Sequence, residues 1–397
     1  MKQLNQILFR QPAFRELTAQ LDAGRSPVAV SGLSGVHRAH LAAALGEQLD
    51  CPVVLLCPDE NEGKKLAADL RALTGTEPLL LMGREFTFHD ATISHQWEHK
   101  RLRVLHQLPE GKFSFLIATV EGLMQRTMPP ETLQSACLTL SVGARVDLQR
   151  LAAQLTAAGY SRCDQVEGPG QFALRGGILD VYSPGMDAPV RAEFWGDEVD
   201  TLGQFDPSTQ RRTENVSQAL LLPAAETLPQ LASGGVLGLV AELESRIRKL
   251  EKRKAKDTAP LLQTLRQDSE QLAQLQHFPA ADRYLDLIYP KFACAADYLP
   301  EYAMVLWADS SRCKAAGEHY LWRLTEDVQA LTQRLWSTSP ASSCPPSAPA
   351  WRPPSLTCAI TRMTGLPRWY SAPPRAGSRP CGICSRSSRF RRPLIWI

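Results

Sequence analysis

"VAVSGLSGVHRAHLAAAL", residues Val28–Leu45, reads as an apolar strand, a glycine turn and an alanine-rich helix. "CPVVLLCP", "PLLLMG" and "FSFLIATV" follow before about Pro130, and helical patterns follow three of these four apolar runs. Strands alternating with helices at that rhythm predict parallel βαβ units, hence an α/β nucleotide-type sheet. The same stretch poses a chemical question. A phosphate loop needs glycines so that backbone N–H groups can close around the phosphates, a lysine for the β/γ oxygens and a Ser/Thr hydroxyl for magnesium. Gly32, Ser34 and Gly35 supply the turn, but His37, Arg38 and Ala39 stand where the last glycine, the lysine and the hydroxyl belong. The turn is retained and the groups that hold Mg·ATP are not.

The chain has 397 residues, 44% hydrophobic and 21% charged, enough for two or three domains with their own cores. A net charge of +3 gives no whole-molecule field that argues for tight nucleic-acid binding. Its 10 cysteines are scattered, and several, such as Cys51, Cys57 and Cys294, sit in apolar contexts that suit buried thiols rather than a disulfide framework. Arg10, Arg15 and Glu16 interrupt the N-terminal apolar positions, so that segment fails as a signal peptide, and no apolar run approaches ~18 residues. A cytoplasmic protein without a membrane partner is expected.

Texture changes along the chain predict its organisation. Residues 1–130 carry the strand–helix alternation. Over residues 131–223 an amphipathic helix, "DLQRLAAQLTAAGY", precedes closely spaced strands separated by "GPG", "RGG", "SPGMDAP" and "GDE". Turns that close leave no room for crossover helices, which predicts a small inserted α+β domain with an antiparallel meander. Residues 224–334 return to helices, with a long polar stretch broken at Pro260 and a late apolar run, "AMVLWADSS", suited to rejoin the first sheet. The mixed charges there read as a solvated helical face. Residues 335–397 differ again: they hold no Asp, Glu or Lys, are crowded with Pro, Ser and Arg, and show no periodicity. That composition points to a frameshift near Arg334 and to a disordered or out-of-frame tail. Its Cys381-x-x-Cys384 has no second pair at metal spacing, so no metal site is expected.

In "PVRAEFWGDE", strand alternation puts Val190, Ala192 and Phe194 on one face and Arg191, Glu193 and Trp195 on the other. Two readings of the outer face stand level. Trp and Arg are the residues most enriched at interface hot spots; equally, Trp195 could cap the sheet edge with Arg191 stacked on it and paired to Glu193. Trp97, His99 and Arg101 pose a similar choice. They could form a basic, aromatic nucleic-acid surface, but Trp97, Leu102 and Leu105 recur at helical spacing and favour a helix packed on the core.

The ordered pattern "GQFALRGGILDVYSPGMDAPVRAEFWGDEVDTLGQFDPSTQRR", preceded by "GYSRCDQVEGPG", resembles the second domain of the bacterial transcription-repair coupling factors and the matching domain of the excision-repair protein UvrB. The resemblance extends at declining strength from about Gln3 to Arg334. It implies a degenerate P-loop, helicase-like α/β domain with an inserted α+β domain that binds UvrA. It implies UvrA-binding roles for Arg175, Arg191 and Trp195, where Trp195 departs from the family's more usual Phe. Gly32, Ser34, Gly35, His37, Arg38 and Ala39 match the decayed nucleotide loop of these factors, and Asp309, followed by Ser310 and Ser311, stands where an active enzyme has its Asp-Glu. ATPase activity, ATP and Mg are therefore expected only of the family's motor domains, as are contacts with RNA polymerase and duplex DNA. A chain without the family's masking domain should bind UvrA constitutively. The rival expectations are a residual helicase-type NTPase and a direct DNA-binding protein.

Overall fold

The computed structural model describes residues 2–83, 95–252, 259–274, 281–335 and 394–396. Helices α1 (Lys2–Arg10) and α2 (Pro12–Asp22) lead into β1 (Val28–Ala29), α3 (Gly35–Leu49), β2 (Val53–Cys57), α4 (Glu60–Thr74), β3 (Leu79–Leu81), α5 (His95–Gln107), β4 (Phe115–Thr119), α6 (Val120–Met124) and α7 (Pro130–Ala136). All four strands of this region are followed by helices, one more than the sequence pattern indicates. β2 and β4 are continuous apolar runs because both of their faces are covered. Val53, Leu55 and Cys57 pack with Leu41, Leu45, Leu66 and Leu70 of α3 and α4 on one side. Val54 and Leu56 pack with Leu102, Leu105 and Leu123 on the other.

The intervening segment comprises β5 (Leu138–Ser141), α8 (Leu148–Ala157), β6 (Ser161–Arg162), β7 (Gln171–Arg175), β8 (Ile178–Tyr182), β9 (Val190–Trp195), β10 (Glu198–Phe205), β11 (Arg212–Asn215) and β12 (Gln218–Leu221). β6 to β11 form one six-stranded sheet in sequential order, antiparallel throughout except that β6 pairs with β7 in parallel. The expected meander is therefore altered at this edge, where β6 contributes only two residues. Asp147 caps α8 by accepting the Arg150 N–H at 2.7 Å. Leu151 and Leu155 then cover a core of Phe172, Leu179, Val181, Val190, Ala192, Val199 and Leu202. β5 and β12 pair antiparallel, so the two ends of the segment meet. All but the first residue of α7 lies within the span 131–223 expected for the small domain, yet its Leu133 is buried in the core on the α5 side of the parallel sheet.

The chain continues through α9 (Gly235–Glu251), α10 (Ala259–Ala273), α11 (Leu285–Ile288), β13 (Met304–Trp307) and α12 (Ser310–Leu335). The long helical stretch is divided into α9 and α10, and Pro260 occupies the second position of α10, in its first turn. β13 rejoins the first sheet beside β2, as "AMVLW" leads one to expect.

The tail expectation needs one correction. Leu394–Trp396 form a strand, β14, parallel to both β1 and β13. The six-stranded parallel sheet has the order β1-β14-β13-β2-β4-β3, and Ile395 is fully buried within it. Leu-Ile-Trp is a short β-favouring apolar run, and the slot offers unpaired backbone groups on both sides. Cys381 and Cys384 lie outside the described residues. No helix among the described residues is long and apolar enough to cross a membrane.

Candidate functional site

Two places carry the residues singled out above. The first is the outer face of the antiparallel sheet. β7 and β8 are joined by Gly176 and Gly177, with Gly176 at φ +62° and Arg175 opposite Ile178, a two-residue hairpin that requires the left-handed backbone glycine allows. β9 and β10 turn the same way through Gly196, φ +66°, with Trp195 opposite Glu198. Ile178 lies opposite Glu193 and the Phe194 N–H donates to the Gly177 carbonyl at 2.8 Å, so both hairpin tips share one end of the sheet. Arg175 and Trp195 therefore lie at the same end of the sheet, on strands with β8 between them, and Trp195 is 84% exposed.

Arg191 lies two residues farther in. The alternation read from the sequence holds: Val190 and Ala192 are buried and Trp195 faces solvent. The partners differ from those expected of a sheet-edge cap. Arg191 does not stack on Trp195 or pair with Glu193; it lies 4.7 Å from the ring centre of Phe205 and forks onto Asp180, Nε to Oδ1 at 2.6 Å and a terminal nitrogen to Oδ2 at 2.9 Å. Arg175 donates to the same Oδ2 at 2.6 Å. The bond to Asp180 raises the Arg191 pKa further above its ordinary value, against the opposing effect of burial. Glu193 instead faces Arg212 at 3.5 Å. Asp180, fully buried, and Gln210, whose carbonyl accepts from Arg191 at 3.3 Å, were not singled out in the sequence. The signal for Asp180 was present: in "ILDVY" it alternates onto the outer face between inward Leu179 and Val181.

The second place is the carboxyl end of the parallel sheet, where loops after β1, β2 and β13 converge and where open α/β sheets hold ligands. Gly32 (φ +83°) and Gly35 (φ +34°) turn the chain into α3, and the Ser34 hydroxyl is 3.3 Å from His37 Nδ1. Arg38 donates to Glu62 at 2.8 Å. Arg312, at the start of α12, bridges Glu62 at 2.7 Å and Asp59 at 2.8 Å. Ala39 is buried. Asp309 accepts from the Arg312 N–H at 3.0 Å and the Ser311 hydroxyl at 2.9 Å, and that backbone N–H is the main cause that holds its carboxyl below the usual range. Both guanidiniums near the loop are thus engaged by the protein's own carboxylates.

Trp97, His99 and Arg101 belong to α5 as the helical spacing indicates. His99 and Arg101 are buried, with Arg101 paired to Glu226 at 3.1 Å. Cys57 and Cys294 are buried free thiols and Cys51 is half-buried; burial pushes the Cys294 thiol up to about 12. Among the described residues no group of three His, Cys, Asp or Glu could hold a metal ion.

Residues 138–226, the span from β5 to just past β12, match the UvrB interaction domain, which defines the class of the antiparallel unit. The chain is 28% identical over 303 residues to the transcription-repair-coupling factor of Bacillus subtilis, covering 75% of this chain and 26% of that protein. It is 36% identical over 195 residues to the factor of Escherichia coli, 49% of this chain and 17% of that protein. With the factor of Myxococcus xanthus it shares 33% identity over 224 residues, 54% and 19% of the two chains. The chain is similar to an N-terminal module of the transcription-repair-coupling factors, and it spans between about a sixth and a quarter of these relatives' length.

Proposed function

We infer that the outer face of the antiparallel sheet recruits UvrA in bacterial nucleotide excision repair, as part of the coupling of repair to transcription. Arg175, Arg191 and Trp195 are its binding residues. The observation that carries this reading is the exposed Trp195 at the same end as Arg175 of a sheet that matches the UvrB interaction domain. An indole this open contributes little to its own fold and offers a large rigid anchor to a partner. Calorimetric titration of UvrA into the protein tests it. Trp195→Ala should weaken binding by about 2 kcal/mol or more, on the scale of an interface hot spot, and leave thermal stability within about 0.5 kcal/mol. Equal affinity of wild type and variant would sink the assignment.

The parallel-sheet unit serves on this reading as a scaffold: a degenerate P-loop, helicase-like fold built from the elements before β5 and after β12, β14 included, around the inserted antiparallel unit. Support comes from the loop after β1. Its Arg38 is tied to Glu62, a guanidinium stands where a compact ammonium would meet phosphate, and Ala39 brings no hydroxyl for magnesium. No cofactor is assigned to the chain, and RNA polymerase and duplex DNA are partners of the longer relatives' other regions. Titration with labelled ATP and magnesium should give no saturable signal; saturable, magnesium-dependent binding would favour the rival reading, a surviving NTPase.

A further inference from the structure

The docking surface contains a buried carboxylate with no sequence-level role. We propose that Asp180 is a positioning residue for partner binding: it holds the guanidiniums of Arg175 and Arg191, brought in from two different strands, in one fixed array on the face that carries Trp195. This rests on the reading of the face as a UvrA-docking surface.

The geometry carries the inference. Asp180 is 0% exposed, and a carboxylate taken wholly out of water persists only when paired and hydrogen-bonded. Both of its oxygens are used: Oδ1 takes Arg191 Nε, and Oδ2 takes one terminal nitrogen each from Arg191 and Arg175. Arg191 is fixed from three further directions, by the Phe205 ring below it and by the carbonyl and side-chain oxygen of Gln210. Gln210 reaches that position in a left-handed backbone, φ +59°, uncommon for a residue with a side chain. Its amide nitrogen donates to the Pro207 carbonyl at 2.7 Å, which orients the side chain. Arg175, by contrast, keeps half its side chain in solvent. Asp180 is its ion-pair partner.

A solvent-facing arginine otherwise samples many rotamers, and ordering it upon binding weakens affinity; an arginine already ordered avoids that loss. Asp180 thus acts on the partner through Arg175 and Arg191 without touching it. A counter-ion retained only for stability would, when removed, lower the melting temperature and leave the affinity of the folded protein unchanged.

The test measures UvrA affinity of the full chain and of Asp180→Asn, with far-UV circular dichroism and thermal melting as controls. Asp180→Asn keeps the volume but presents an amide to two guanidiniums, and is expected to weaken binding about tenfold or more. Added to Arg191→Ala, it should weaken binding by no more than about a further threefold, because its effect passes through the arginines. Wild-type affinity in Asp180→Asn, or an undiminished further loss on top of Arg191→Ala, overturns the proposal while leaving the docking face standing. Failure of the wild-type chain to bind UvrA removes the docking face itself. Should Asp180→Asn melt too low to assay, Asp180→Glu carries the test, since it keeps the carboxylate and its charge, leaves both arginines in place and shifts only where their guanidiniums are held. A loss of about threefold or more supports positioning; unchanged affinity overturns it.

Discussion

Glu226→Ala should lower the stability of the protein by about 3–5 kcal/mol, the cost of leaving a buried charge without its partner. Glu226 follows the antiparallel unit in the chain, and its carboxylate meets Arg101 of α5 at 3.1 Å with both side chains almost completely buried. Arg101 also donates to the Gly122 carbonyl at 3.0 Å, and the Glu226 N–H donates to Glu98 at 2.6 Å, so the pair fastens the segment after β12 to the helices beneath the parallel sheet. Alanine at 226 would strand the guanidinium in that interior. The pair itself is imperfect, since one terminal nitrogen of Arg101 and Oε2 of Glu226 have no hydrogen-bond partner. Replacing both residues, Arg101→Met with Glu226→Leu, should therefore recover most of the loss or exceed wild type. Urea denaturation of the three variants checks this. A single variant as stable as wild type would mean that Arg101 reaches water once Glu226 is gone.

The legibility of this fold follows from how each element is buried. "VVLLC", "FLIAT" and "MVLW" stand out because strands covered on both faces must be apolar at every position, and all three take adjacent places in the parallel sheet. The antiparallel unit was legible for a different reason: close turn signals cap the strand lengths and leave no room for helices. Alternation then placed Trp195 outside and Val190 and Ala192 inside without knowledge of the neighbours.

Partners across strands were another matter. The candidates for Arg191 read from the sequence, Glu193 and Trp195, were its neighbours on the same face of its own strand, whereas its partner is Asp180 on β8. Register between β7 and β8 follows from the two-residue glycine turn, but the β8–β9 connection is seven residues long and fixes nothing by its length. The same blindness hid Arg38–Glu62 and Arg312–Asp59, pairs made by loops that only the sheet order brings together. What could be read at the nucleotide-type loop was the residue types; that its cationic groups are neutralised from within required the fold.

Ile395→Asp tests the least legible element of all. β1 is only two residues long, and among the described residues its one neighbour in the sheet is β14, which pairs with Val28 and Ala29 on one side and with Val305, Leu306 and Trp307 on the other. Ile395 packs fully buried in the core that also holds Phe14, Leu41 and Leu306. Truncating such an isoleucine to alanine costs ~2–5 kcal/mol, and a carboxylate there adds its desolvation to that loss. The aspartate variant should consequently expel β14 and leave β1 with both edges unpaired. β1 leads directly into the Gly32–Gly35 turn, so the effect should concentrate there. Amide hydrogen exchange resolves it: Val28 and Ala29 should lose protection by a factor of about 100 or more, while Leu55 and Ile117, held by β2–β4 pairing, keep theirs. If β1 stays protected in the variant, the strand Leu394–Trp396 is not what joins it to the sheet.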